Sequence, residues 1–149
     1  MPEIFYEDIE TGEVHEFGDY EVTKDEITEF AGKYDPQPFH VDEEQARESM
    51  FGELVASGWH TSAMSMRMVV DNLLSRTASL GSPGVDELRW VKPVRPGDTL
   101  SMRVEMLEKR VSEKRPGMGV VKWRWETLNQ DGDVVMTLRA TGFVGRRDD

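Results

Sequence analysis

One stretch constrains this chain more than any other. From Gly58 onward, Trp59, Ala63, Met66, Val70, Leu73 and Leu74 recur at steps of three and four, which marks one face of a helix. Met64, Met68 and Val69 make other sides apolar too, so this helix needs protein around it rather than on one side only. After Val85 the period changes to two. Leu88 and Trp90 alternate; so do Leu100, Met102, Val104 and Met106, and again Val121, Trp123, Trp125 and Thr127. A lone helix that must be covered, followed by strands with no second long helix, leaves the sheet to cover it.

The remaining punctuation fits that plan. Val14 to Val22 is strand-like but charged, as an edge strand would be. Thr23-Lys24-Asp25-Glu26 has the spacing of a capping box, and Ile27, Phe30 and Ala31 follow at helical spacing. That helix must stop before Asp35-Pro36, since a residue preceding proline is pushed toward extended geometry. Residues 35–40 then read as stiff and non-helical, with a short helix expected from Asp42 to about Met50. The central helix is expected to end around Thr77 to Gly81, followed by a break at Ser82-Pro83-Gly84. Arg95-Pro96-Gly97-Asp98 makes a turn, and Asn129-Gln130-Asp131-Gly132 a hairpin into a returning strand from Val134 to Val144. The expectation is α+β: residues 1–149 as a single domain with an antiparallel sheet wrapped around a long central helix, the hotdog fold.

Composition excludes several function classes. With no cysteine, disulfides, zinc-thiolate sites, iron–sulfur clusters and thiol nucleophiles are out. No apolar run reaches the roughly 20 residues of a membrane span, and Met1-Pro2-Glu3-Ile4 lacks a signal-peptide pattern, so the cytoplasm is the expected compartment. A net charge of -11 argues against nucleic acid. Its distribution matters more than its total. Residues 1–55 hold 17 of the 29 acidic residues and 3 of the 18 basic ones, so an anionic ligand is better received by the rest of the chain.

Three histidines allow the chemistry to be enumerated. His15 lies among Glu13, Glu16 and Asp19 and reads as solvated. His60 falls in the first turn of the central helix and reads as a structural hydrogen-bonding residue. His40 closes Tyr34-Asp35-Pro36-Gln37-Pro38-Phe39-His40, where two prolines fix the backbone between a carboxylate and an imidazole. Such a pair, five residues apart in a stiff loop, can converge on one small molecule and trade a proton near neutral pH. Spacing alone also accommodates a rigid loop with an incidental Asp and His.

That segment, with Leu54-Val55-Ala56-Ser57-Gly58-Trp59-His60-Thr61-Ser62 behind it, resembles the MaoC-like, or (R)-specific enoyl-CoA hydratase, family of hotdog proteins. The family's signature is Asp-x-Asn-Pro-x-His, then a glycine opening the central helix; Asp35, His40 and Gly58 match it, and Pro96-Gly97-Asp98 also looks like the family's turn. Gln37 departs from the usual Asn, and Tyr34 from a common Gly. The resemblance implies reversible addition of water to a trans-2-enoyl-CoA, giving a 3-hydroxyacyl-CoA. Asp35 and His40 would form the acid/base pair, and the Gly58 N–H at a positive helix end would hold the enolate oxygen. Glycine there would let the thioester approach, and helix propensity alone would tolerate alanine.

The same resemblance implies no metal and no organic cofactor, with the coenzyme A thioester as substrate. It implies a homodimer or higher homo-oligomer whose partner subunit walls the substrate tunnel. Lys92, Arg95, Lys109, Arg110, Lys114 and Arg115 are the pool from which phosphate-binding cations would be drawn. Two other readings stand beside it: a hotdog acyl-CoA thioesterase, and a non-catalytic acyl-CoA-binding subunit. Asp35 and His40 together favour hydration over both.

Overall fold

The computed structural model describes residues 1–147. Its elements are β1 (Val14–Glu21), α1 (Lys24–Tyr34), α2 (Pro38–Val41), α3 (Glu43–Arg47), α4 (Gly58–Asn72), β2 (Ser79–Trp90), β3 (Thr99–Val111), β4 (Met118–Leu128) and β5 (Val134–Gly145). All strand pairings are antiparallel, in the order β1-β3-β4-β5-β2, with α4 laid across the sheet. This is the hotdog arrangement read from the sequence, with β1 at an edge as expected.

The alternating strands bury the residues the period assigned inward. Leu100, Met102, Val104, Val121, Val135 and Met136 are essentially sealed from solvent and pack under α4. The helix comes close to β1 at Gly18, which has a φ of +96° and no side chain; a Cβ there would press on the Met68 sulfur at 2.5 Å. A polar pair also crosses the core, where the Ser65 and Thr127 hydroxyls meet at 2.7 Å.

Several boundaries differ from the sequence expectation, each for a local reason. Residues 35–40 are not wholly extended: Pro38 takes the first helical position, where its missing N–H costs nothing, and α2 carries His40. The helix expected to Met50 stops at Arg47 and gives way to turns. Helix α4 ends at Asn72, where Leu73 leaves helical geometry, and a short 3₁₀ turn over Leu74–Arg76 follows. Ser82-Pro83-Gly84 is no break. It lies inside β2, where Gly81 and Gly84 take positive φ and bulges absorb the proline on a free edge. Only half of the capping box forms: Thr23 caps Glu26 N–H at 3.2 Å, while the Glu26 carboxylate turns away to the Tyr20 hydroxyl.

The stripe that announced α4 is covered only at its C-terminal end, where Leu73 is buried and Leu74 packs on the core. His60, Thr61, Met64, Ser65, Met68 and Val69 are buried, whereas Trp59, Met66 and Val70 remain exposed. Leu80, Val85 and Trp90 are exposed along β2, whose outer edge has no neighbour among the described residues.

Candidate active site

Three short devices bring the site together. Helix α1 ends at Asp35, whose backbone N–H still reaches the Ala31 carbonyl. The turn of α2 then lifts His40 back toward Asp35, and the extended segment 54–57 runs past both, fixed by Val55 N–H to the Phe39 carbonyl and Ala56 N–H to the Val94 carbonyl. Segment 54–57 delivers Ser57, the N-cap of α4.

His40 Nε2 lies 3.5 Å from Asp35 Oδ2, with His40 buried and Asp35 at the margin of solvent. His40 Nδ1 is 2.6 Å from the Val55 carbonyl. A carbonyl only accepts, so Nδ1 carries a proton, and Nε2 is the ring nitrogen turned toward the carboxylate. Asp35 is held from two sides. The Ser57 hydroxyl donates to Oδ2 at 2.7 Å and the Gln37 amide donates to Oδ1 at 2.7 Å. Burial raises the Asp35 pKa, but Ser57, Gln37 and the neighbouring His40 more than reverse this and leave it below the ordinary aspartate value. Asp35 is therefore an anion at neutral pH.

Ser57 was not singled out in the sequence reading. Fully buried, its hydroxyl both donates to Asp35 and accepts from the Trp59 N–H at 3.3 Å. One hydroxyl thus ties the carboxylate to the start of α4. It also removes Trp59 N–H from competition, and among the described residues the Gly58 N–H has no acceptor. Serine directly before a helix-opening glycine is the signal that could have marked it. The departure at Gln37 is also accounted for, because its longer amide still reaches Asp35.

The structure assigns Gly58 a different neighbour from the one expected. A Cβ at Gly58 would collide with the Trp90 indole, well inside van der Waals contact. The Trp90 Nε1–H donates to Ser62 Oγ at 3.2 Å, and the ring meets Trp59 edge-on with centroids 4.9 Å apart. Glycine here admits a tryptophan from β2, so alanine is not the neutral change that helix propensity implies.

The other histidines are accounted for separately. His60 is buried, stacked on Phe30 at 4.7 Å, with Nε2 3.4 Å from Glu26. Burial depresses its pKa, partly offset by Glu26, so it is neutral at pH 7. His15 is half-buried and paired with Glu13 at 3.0 Å rather than freely solvated. Of the six cations, Lys92 is engaged by Asp133 at 2.8 Å and Arg95 by Glu53 at 3.1 Å, and Lys109 sits over the Tyr6 ring. Arg110, Lys114 and Arg115 have no carboxylate partner among the described residues.

A carboxylate and an imidazole facing one another beside a helix N-terminus, on a hotdog scaffold, define a class, and comparison with known proteins agrees. The profile of the MaoC-like domain matches residues 8–123, and the chain belongs to that family. Its fold matches the crystal structure of a MaoC-like dehydratase from Rhodospirillum rubrum at 42% identity and a TM-score of 0.89, over 98% of this chain and 99% of that one. YdeM of Bacillus subtilis is 34% identical over 80% of this chain and 83% of its own length. A mesaconyl-CoA hydratase of Haloarcula marismortui is 27% identical over 77% of this chain, which spans 31% of that longer protein.

Proposed function

We propose that this protein is a hydratase/dehydratase of acyl-CoA thioesters that adds water reversibly to a trans-2-enoyl-CoA. The observation that carries the reading is the facing pair, Asp35 anionic and His40 with Nδ1 committed to the Val55 carbonyl and Nε2 turned to Asp35. A water held between them can donate one proton to Nε2 and hydrogen-bond to Asp35 while its oxygen attacks C3. As electrons move to the thioester oxygen, the Gly58 N–H at the positive end of α4 stabilises the enolate. The proton taken by the pair is then delivered to C2, which completes the addition and restores both groups. No metal or organic cofactor enters this scheme.

The reading includes a homodimer. Trp59, Met66 and Val70 on α4 and Val85 and Trp90 on β2 are exposed apolar side chains near a free strand edge, and a second copy of the chain would cover them. The family membership and the named hydratase relative support the reaction type.

The test is incubation with crotonyl-CoA, followed by enoyl-thioester absorbance and free thiol together. Loss of the conjugated absorbance without thiol release is the expected result. Thiol release would mark a thioesterase, and neither signal would mark a binding subunit.

A further inference from the structure

A cavity of about 620 Å³ lies between β1, α1 and α4, and neither Asp35 nor His40 lines it. Glu26 organises its polar part. The Tyr20 hydroxyl donates to Glu26 Oε1 at 2.6 Å, and His60 Nε2 lies 3.4 Å from the same oxygen. No described residue donates to Glu26 Oε2. Both partners are neutral at pH 7. Burial depresses the His60 pKa, while burial together with Glu26 pushes the Tyr20 hydroxyl up to about 12. The carboxylate is therefore held in place without having its charge cancelled.

His60 supplies a second open valence. Its side chain is 3% exposed, and Nδ1 is buried with no hydrogen-bond partner. Nε2 faces a carboxylate, which only accepts, so in the neutral ring Nε2 carries the proton and Nδ1 is an acceptor without a donor. The cations of the wall are already committed, Arg67 to Asp71 at 2.9 Å and Lys33 to Glu29 at 3.9 Å. Tyr20, Phe30 and Tyr34 add aromatic surface, with Phe30 stacked on the His60 ring. A free anionic oxygen, an unpaired acceptor and aromatic rings favour one kind of occupant, a positively charged hydrogen-bond donor on an apolar body.

We infer that this cavity is a binding site for a small organic amine, a primary ammonium group carried on an aryl or alkyl body, with the Glu26 carboxylate as its counter-ion. The inference is independent of the proposed hydration. Asp19, Glu26 and Glu29 belong to the acidic first 55 residues, a stretch that draws a cation rather than an anion. The strand wall of the cavity, β1, is the edge of the sheet opposite β2, so pairing through β2 leaves that wall free.

Calorimetric titration with phenethylammonium chloride tests the site, with 2-phenylethanol as the neutral isostere and 3-phenylpropanoate as the anion. The ammonium should bind with a Kd of about 1 mM or tighter, and each comparison compound at least about tenfold more weakly. Glu26→Gln can still accept from Tyr20 but lacks the charge, and should weaken the ammonium about tenfold. Glu113→Gln removes an exposed acid between β3 and β4 and should leave binding unchanged. On wild type, amide NMR shifts should move together at Tyr20, Phe30, Ala63 and Arg67, so the site is mapped even if Glu26→Gln fails to fold. Absence of binding at about 10 mM, equal affinity for the alcohol, an equal loss in Glu113→Gln, or shifts confined to other surfaces would each overturn the proposal. Displacement of the amine by ammonium chloride at equal concentration would also overturn it, in favour of a bare-cation site.

Discussion

At the scale of single residues, the Ser57 hydroxyl links the candidate site to its scaffold, because it contacts both the Asp35 carboxylate and the first turn of the helix behind it. Asp35→Asn and His40→Gln should each reduce hydration by at least about 10²-fold, with the double variant losing less than the product, measured as kcat/KM on crotonyl-CoA. Ser57→Ala separates positioning from proton transfer. The hydroxyl favours the charged form of Asp35, so its loss lets the pKa rise toward the ordinary aspartate value. The base form exists above that pKa and is lost as pH falls through it. In wild type the acid limb of kcat/KM should therefore lie below the usual aspartate range, and Ser57→Ala should move it upward, while Ser57→Thr should restore it. An acid limb that stays put in Ser57→Ala would assign the serine to helix capping alone.

At the scale of elements, α4 and β2 meet at one crowded point, Gly58 against Trp90. Gly58→Ala should cost about 1–3 kcal/mol of stability through overpacking, measured by denaturant unfolding. In a Trp90→Ala background the added methyl has room, so its cost should largely vanish, and the two changes should be strongly non-additive. This coupling was illegible in the sequence, since nothing local to Gly58 names a residue 32 positions away. What local pattern could reveal, it did: the alternation of Leu100 to Met106 and of Val121 to Thr127, the Asn129–Gly132 hairpin, and the two prolines that stiffen the Asp35–His40 segment. Two of the misjudged boundaries share one cause. Pro38 can begin a helix as readily as prevent one, and Ser82-Pro83-Gly84 resembles a loop until an unpaired edge makes its proline harmless. Asp35 and His40 were legible because they lie five residues apart; Ser57, 22 residues from Asp35, required the fold.

At the scale of the whole molecule, part of the helix stripe that looked like core turns outward, as the proposed dimer would require. Trp59, Met66 and Val70 were read as a buried face because their spacing is that of one, and a second copy would bury them. Wild type should sediment as a dimer or larger. Val85→Asp would put a charge in the middle of the exposed β2 edge, where the proposed second copy would sit, which should shift the equilibrium toward monomer and cut activity with it. A Val85→Asp variant that is monomeric and fully active would show that one chain holds a whole site.

The open edge of β2 also governs how the protein behaves when scarce. If every working centre is shared between two chains, the number of centres follows the square of the free-chain concentration once dimers begin to part. Activity per milligram would then decline on dilution and return with a lag on reconcentration, slower where encounters are fewer. A cell making little of this protein would have disproportionately little of its activity, and transcription of the gene would be amplified into a steeper response at the level of catalysis.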